Sequence, residues 1–229
     1  MRLNAAAAYQ TRTELSEHHV SVARTARYFT IGDPAATDIW FVCHGYGQLA
    51  ARFLKGFEPI AEGPRLVVAP EALSRFYVGN GQHREQPVGA TWMTREDRLN
   101  EIVDYVKYLD AVHAEVVRGA AAEVRIRALG FSQGAATVSR WAALGTARLD
   151  DLVLWGGELP PDLDLVAAEQ RFKRLRTTIV AGKQDEYITP KVLAGIERRL
   201  TERAIPFRTQ VFEGGHEIEA AALRRLADS

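Results

Sequence analysis

The run Arg125-Ile126-Arg127-Ala128-Leu129-Gly130-Phe131-Ser132-Gln133-Gly134-Ala135-Ala136 constrains this chain more than any other stretch. An apolar segment ends in Gly-x-Ser-x-Gly, and small residues able to start a helix follow at once. The order is strand, sharp turn, helix. In such a turn the serine takes strained backbone angles and its Oγ is lifted clear of the sheet edge. The turn is tight enough that a side chain at 130 or 134 would collide with strand and helix backbone. The helix beginning here points unpaired N–H groups toward the serine, which favours negative charge beside it. An ordinary turn carrying a solvated serine has the same five residues, so the rest of the chain decides between structure and chemistry.

Around this run, apolar stretches alternate with helical patterns. Buried strands are expected near 39–43, 66–70, 125–130, 152–155, 178–182 and 207–212. Residues 18–31 alternate loosely and predict one or two antiparallel strands at a sheet edge. Leu49, Phe53, Leu54 and Phe57 predict a helix after the first buried strand. Residues 71–93 lack periodicity and predict a long loop, a lid or wall, with Gly79-Asn80-Gly81 as a turn or small hairpin. Thr94 and Asp97 predict a capping box. The helix it opens has a buried stripe of Leu99, Ile102, Val103, Val106, Leu109, Val112 and Val116. Thr189-Pro190 predicts a helix start, and Gly214-Gly215-His216 leads into a last helix through Ile218 and Leu223. Alternation of this kind implies an α/β fold. Its central sheet is mostly parallel with helices on both faces, and ligands sit at the carboxyl ends of the strands. The 229 residues suit a single domain over 1–229, and no linker divides them.

Composition narrows the function. Lysine plus arginine balances aspartate plus glutamate at 29 each, which argues against a nucleic-acid surface. The single cysteine excludes an internal disulfide framework and fits a reducing compartment. No apolar run approaches the about 20 residues of a membrane-spanning helix, so no integral membrane association is expected. The start, Met1-Arg2-Leu3-Asn4 and four alanines, has too short an apolar region for a signal peptide, and a cytoplasmic location is expected.

A serine hydroxyl is a weak nucleophile that needs a base, and the base needs an orienting carboxylate. His216, after the last strand and behind two glycines, meets the requirement for the base. His18 and His19 lie near the N-terminus, His83 lies in the polar loop, and His113 sits on a helix among solvated neighbours. The carboxylate should follow the strand between serine and histidine. Asp185 does so, in the required chain order Ser132, Asp185, His216. Glu186 is a near alternative, and Glu158, after the preceding strand, a weaker one. An oxyanion needs fixed donors: the backbone N–H of Gln133, directly after the nucleophile, and that of Tyr46 in His44-Gly45-Tyr46-Gly47. His44 then supports this loop and is not the base. Cys43 reads as a buried strand residue. Phe76, Tyr77 and Trp92 either wall an acyl pocket or pack the loop. Arg75, Arg84 and Arg95 either meet an anionic leaving group or are solvated.

The elbow Gly-Phe-Ser-Gln-Gly, the His-Gly-x-Gly loop, the Gly-x-x-Asp segment and the Gly-Gly-His end resemble the phospholipase/carboxylesterase branch of the α/β-hydrolases, which includes acyl-protein-thioesterase-like enzymes. The resemblance runs from about residue 38 to the end. It implies the α/β-hydrolase fold without a large cap domain, and hydrolysis of carboxylic esters or thioesters. Trp92, in Gly89-Ala90-Thr91-Trp92, resembles the family's tryptophan that lines the site. Met93-Thr94-Arg95 follows where many members carry an aromatic residue and an aspartate. The expectation is a serine carboxylesterase acting on small-molecule acyl esters through Ser132, His216 and Asp185. It needs no metal or organic cofactor, and is a monomer or homodimer. A thioesterase or lysophospholipase is the alternative within the same chemistry.

Two readings from other classes compete. Gly45-Tyr46-Gly47-Gln48-Leu49-Ala50 is a literal Gly-x-Gly-x-x-Ala between a strand and a helix, with Glu71 where a ribose-binding acid would lie. That reads as a dinucleotide-binding oxidoreductase, but leaves Ser132, Asp185 and His216 without a joint role. A non-catalytic hydrolase-fold binding protein predicts a broken triad, whereas every candidate member is present.

Overall fold

The structure, a computed structural model, describes residues 15–82, 85–120 and 123–229. His83, Arg84 and the alanine-rich start lie outside the described residues. The strands are β1 (Tyr28–Gly32), β2 (Asp38–Cys43), β3 (Arg65–Pro70), β4 (Ser74–Tyr77), β5 (Val88–Thr91), β6 (Arg125–Phe131), β7 (Asp151–Trp155), β8 (Arg176–Gly182) and β9 (Phe207–Phe212). The helices are α1 (Ala50–Phe53), α2 (Arg98–Val116), α3 (Gln133–Leu144), α4 (Glu169–Arg174), α5 (Pro190–Thr201) and α6 (Ala220–Ala227).

The main sheet has the order β1-β3-β2-β6-β7-β8-β9. Every neighbouring pair is parallel except β1 with β3, which is antiparallel at the edge. The central strands read as unbroken apolar runs because both faces are covered. Successive side chains alternate between two cores. Phe41, Ile126, Leu152 and Ile179 pack under α2, α3 and α5. Trp40, Leu129, Val153 and Val180 pack under α6 and the segment around Phe53 and Phe57. Burying one such side chain contributes about 1.5–3 kcal/mol. From β2 the chain winds outward to β3, then returns to place β6 on the other flank of β2. The carboxyl ends of β2 and β6 therefore form the point where the winding reverses, the place in an open α/β sheet where a crevice opens.

Five expectations change. Only Tyr28–Gly32 of the segment 18–31 is a strand; residues 18–27 are irregular. The helix after β2 is a four-residue α1 running into a 3-10 segment, Leu54–Ile60, that contains Pro59. A proline there removes a backbone donor that an α-helix would use. The long loop 71–93 contains a hairpin, β4 with β5, in register Ser74 to Thr91 and Tyr77 to Val88. It docks on the 44–48 loop through Gly47 N–H to Ala90 O (2.9 Å) and Ala90 N–H to Gln48 O (3.1 Å). At the start of α2, Asp97 sits in left-handed geometry without a side-chain cap bond, and Glu101 accepts from Thr94 N–H instead. On α2, Ile102, Val106, Leu109 and Val112 are buried, but Leu99 and Val103 face solvent. No helix among the described residues is long and apolar enough to cross a membrane.

Candidate active site

Ser132 stands between β6 and α3 with φ 55° and ψ −117°, a positive φ that a residue with a Cβ rarely adopts. Holding it there costs about 1–3 kcal/mol, and packing supplies that constraint. Ser132 N–H donates to Trp155 O at 2.9 Å, tying the turn to β7. A Cβ at Gly130 would overlap Gly134 O, and one at Gly134 would overlap Cys43 O. The two glycines let strand, turn and helix backbones touch.

The β8 and β9 ends bring the other two groups together. His216 Nδ1 lies 2.9 Å from Asp185 Oδ2. Asp185 Oδ1 accepts from Tyr187 N–H (2.8 Å) and Ile188 N–H (3.0 Å). Burial works against ionisation of Asp185. The Ile188 amide, the His216 imidazole and the Tyr187 amide outweigh it and hold the carboxyl below its ordinary value. The imidazole rests between Phe131 and Tyr187, ring centroids 4.8 and 4.6 Å away. Phe131 is the residue before the serine, so the elbow itself seats the base. Gly156, at φ +54°, passes behind the pair; a Cβ there would stand 3.2 Å from the His216 ring. Glu186 and Glu158 are exposed, and neither has an ion pair among the described residues.

The loop after β2 closes the other side. A Cβ at Gly45 would lie 3.2 Å from Ser132 Cβ. Gly45 N–H donates to Gln48 Oε1 at 2.8 Å, and Gly47 N–H to Ala90 O, so the amides on either side of Tyr46 are both engaged. His44 lies fully buried beneath. Its Nε2 accepts from Ala72 N–H (3.1 Å) and its Nδ1 donates to Gly45 O (2.8 Å), which fixes the neutral tautomer. Burial pushes its pKa below the ordinary value, against the pull of Gly45 O and Glu71.

The Gln133 side chain makes a contact that sequence reasoning missed. Its Nε2 donates to Thr91 Oγ1 and Met93 O (2.9 Å each), and its Oε1 accepts from Trp92 N–H (3.1 Å). The residue after the nucleophile thus pins the end of the hairpin. A cavity of about 410 Å³ opens at Ser132 and Gln133, walled by Met93, Arg140, Glu158, Pro160, Tyr187 and Ile188. Trp92, Phe76 and Tyr77 are not part of this wall. Trp92 is only 2% exposed and donates from Nε1 to His44 O at 2.8 Å, bracing the 44–47 loop from below. The half-buried Phe76 stacks on the exposed Tyr46 ring at 5.2 Å, and Tyr77 is half exposed on β4. Arg140 escaped notice because no motif marks it. Its signal is a cation at helical spacing from Ser132 on an otherwise uncharged helix.

Three lesser expectations also resolve. Cys43 is buried, and burial raises its thiol pKa far above ordinary. His113 has exposed neighbours at Ala111 and Ala114 but is itself half-buried, packed against Phe41 and Trp141. Glu71 is buried and receives Arg27 Nε (2.7 Å) and Arg75 Nη1 (2.9 Å), so neither its carboxylate nor Arg75 has the role a ribose site or a free loop would give it. The Gly-x-Gly-x-x-Ala run ends in the four-residue α1, which offers no long helix to a pyrophosphate.

No protein-family model matches the sequence, and no characterised protein matches it in a sequence comparison. Solved structures do. Maize acyl-protein thioesterase 2 superposes with TM-score 0.65 at 16% identity, over 89% of this chain and 97% of that one. The chain has the α/β-hydrolase fold. A carboxylesterase from Mesorhizobium loti matches with TM-score 0.67 at 20% identity, over 89% of this chain and 93% of the other. A phospholipase/carboxylesterase from Dyadobacter fermentans gives 0.62 at 17%, over 92% and 99%. Within this fold the strained serine follows the strand beside the winding reversal, and the histidine and the carboxylate it contacts follow β9 and β8.

Proposed function

We propose that the chain is a serine carboxylesterase of the phospholipase/carboxylesterase branch, acting on small-molecule esters of short to medium acyl chains. The observation that carries this reading is the 2.9 Å contact of His216 with Asp185, its ring seated on the residue before a strained Ser132. Ser132 Oγ attacks the acyl carbonyl while His216 Nε2 takes its proton. Asp185 accepts from Nδ1–H, which keeps the imidazole in the tautomer whose Nε2 can act as base and stabilises the imidazolium. The tetrahedral oxyanion is received by Gln133 N–H, at the first position of α3 where no intrahelical acceptor exists, and by Tyr46 N–H, between two amides already engaged. Each such donor contributes about 3 kcal/mol to the transition state. The imidazolium returns its proton to the leaving alcohol, and water activated by His216 then releases the acid and restores Ser132. The sequence uses no metal or organic cofactor. A cavity of about 410 Å³ suits a small molecule. A thiol leaving group needs no change in this machinery, so thioesters are the second substrate class.

The test is a p-nitrophenyl ester ladder, from acetate to long acyl chains, with wild type and Ser132→Ala in parallel. Turnover that disappears with the serine supports the reading, and the optimum chain length sizes the cavity. Equal turnover by both proteins contradicts it.

A further inference from the structure

We propose that Arg140 reads a negative charge at the far end of the acyl group, so that the preferred substrates are half-esters of dicarboxylic acids. The inference rests on the serine-esterase reading and adds the substrate class to it.

Gln133, Ala136, Thr137 and Arg140 recur at helical spacing along one face of α3, and all four line the cavity that holds Ser132. The Cα of Arg140 lies about 12 Å along the helix from that of Ser132, at about 1.5 Å rise per residue. Helical side chains lean back toward the N-terminus, here toward the serine. Ala136 stands between the two on the helix, and Met93, Pro160 and Ile188 add apolar wall to the same cavity. The cavity therefore presents a nucleophile at one end, methylene-compatible surface between, and a cation at the other.

That cation is incompletely paired. A buried guanidinium demands acceptors for five N–H groups. Arg140 is 5% exposed, yet its one short bond is Nη2 to Asp162 Oδ1 at 2.9 Å. Among the described residues Nη1 has only the Met93 thioether (3.4 Å) and the Tyr105 hydroxyl (3.5 Å), and Nε is buried with no partner. Asp162, 42% exposed in its side chain, is also held by Arg98 at 2.5 Å. Two guanidiniums thus share one carboxylate, leaving a positive charge at the wall. Glu158 is the opposing charge on the same cavity, but it is exposed and water screens it. A carboxylate at the end of an acyl chain offers Nη1 a stronger, charged acceptor than the thioether and hydroxyl it contacts at 3.4 and 3.5 Å.

The probes are p-nitrophenyl hydrogen adipate and its methyl ester, p-nitrophenyl methyl adipate, which differ in the terminal charge. Rates are corrected with Ser132→Ala. The charged ester should exceed the neutral one in kcat/KM by about tenfold, the worth of a charge-assisted hydrogen bond, with the gain in KM. Arg140→Met should bring the ratio to one or below, and Arg140→Lys should restore part of it. Because each ratio is internal to one protein, a variant that folds less well lowers both rates and leaves the ratio interpretable. A wild-type ratio at or below one, or a ratio that survives Arg140→Met, overturns the proposal. So does a charge preference found only on the leaving group, read with 4-carboxyphenyl hexanoate against its methyl ester. If wild type cleaves none of these esters, the serine-esterase reading itself has failed. Calorimetric binding of monomethyl adipate then judges the cation alone: binding lost in Arg140→Met supports it, and no binding to wild type overturns it.

Discussion

His44 and His216 sit on the same edge of the sheet, each in a glycine-bearing loop after a strand, and they have opposite fates. His44 is fully buried, with both ring nitrogens engaged by backbone atoms of Gly45 and Ala72. Its imidazole is a strut under the 44–47 loop. His216 is partly exposed and gives Nδ1 to a carboxylate, with an aromatic ring on either side. A position at a strand end supplies access to the crevice. The partners of the ring nitrogens set the two apart: backbone atoms for His44, a carboxylate for His216.

The largest effect should come from exchanging those roles. His216→Ala should lower kcat/KM by about 10⁴–10⁶, as losing a triad member does. His44→Gln should leave most of the turnover and act on stability instead, by about 1–3 kcal/mol for the backbone partners it orphans, read by urea unfolding. Equal kinetic damage from both would erase the distinction. Next, Asp185→Asn should cost about 10⁴ in kcat by stabilising the wrong tautomer. Glu158→Gln, an exposed change, should stay within about twofold. The reverse order would move the orienting acid to β7. Gly156→Ala should lower kcat by less than the about 10²-fold that a displacement of about 1 Å costs, because the new Cβ, 3.2 Å from the His216 ring, presses it only slightly aside. An unchanged kcat would mean the ring is not held where the account requires.

The smallest effect is one of pH. Burial lowers the pKa of both His44 and His113. Below the ordinary histidine value of about 6.5 the unfolded chain takes up protons that the folded chain refuses. Stability should be full above that value and decline as pH falls toward the depressed folded values. The urea midpoint should therefore be lower at pH 5.5 than at 7.5, and the decline should shrink in His44→Gln.

The parallel strands were legible because burial on both faces writes an unbroken apolar run, and chain order pointed to Ser132, Asp185 and His216 because a doubly wound sheet collects its strand ends on one edge. What was not legible depended on partners distant in sequence. The β4–β5 hairpin has four-residue strands whose alternation is too short to read, and the 44–48 loop orders it. Leu99 and Val103 fit a helical stripe but fall outside the surface that the sheet covers. Trp92 looked like a pocket wall, yet its indole N–H finds a buried acceptor at His44 O and turns the ring inward. Arg140 owes its incomplete pairing to Asp162, 22 residues further on, which it shares with Arg98.

The central claim is that Ser132 is a nucleophile activated by His216 and Asp185. Its most direct measurement is covalent labelling with a fluorophosphonate, followed by intact mass and peptide mapping. One adduct per chain is expected, on Ser132, formed quickly by wild type and at least about a hundredfold more slowly by His216→Ala. Labelling at another residue, or labelling of Ser132 at the same rate without His216, would contradict it.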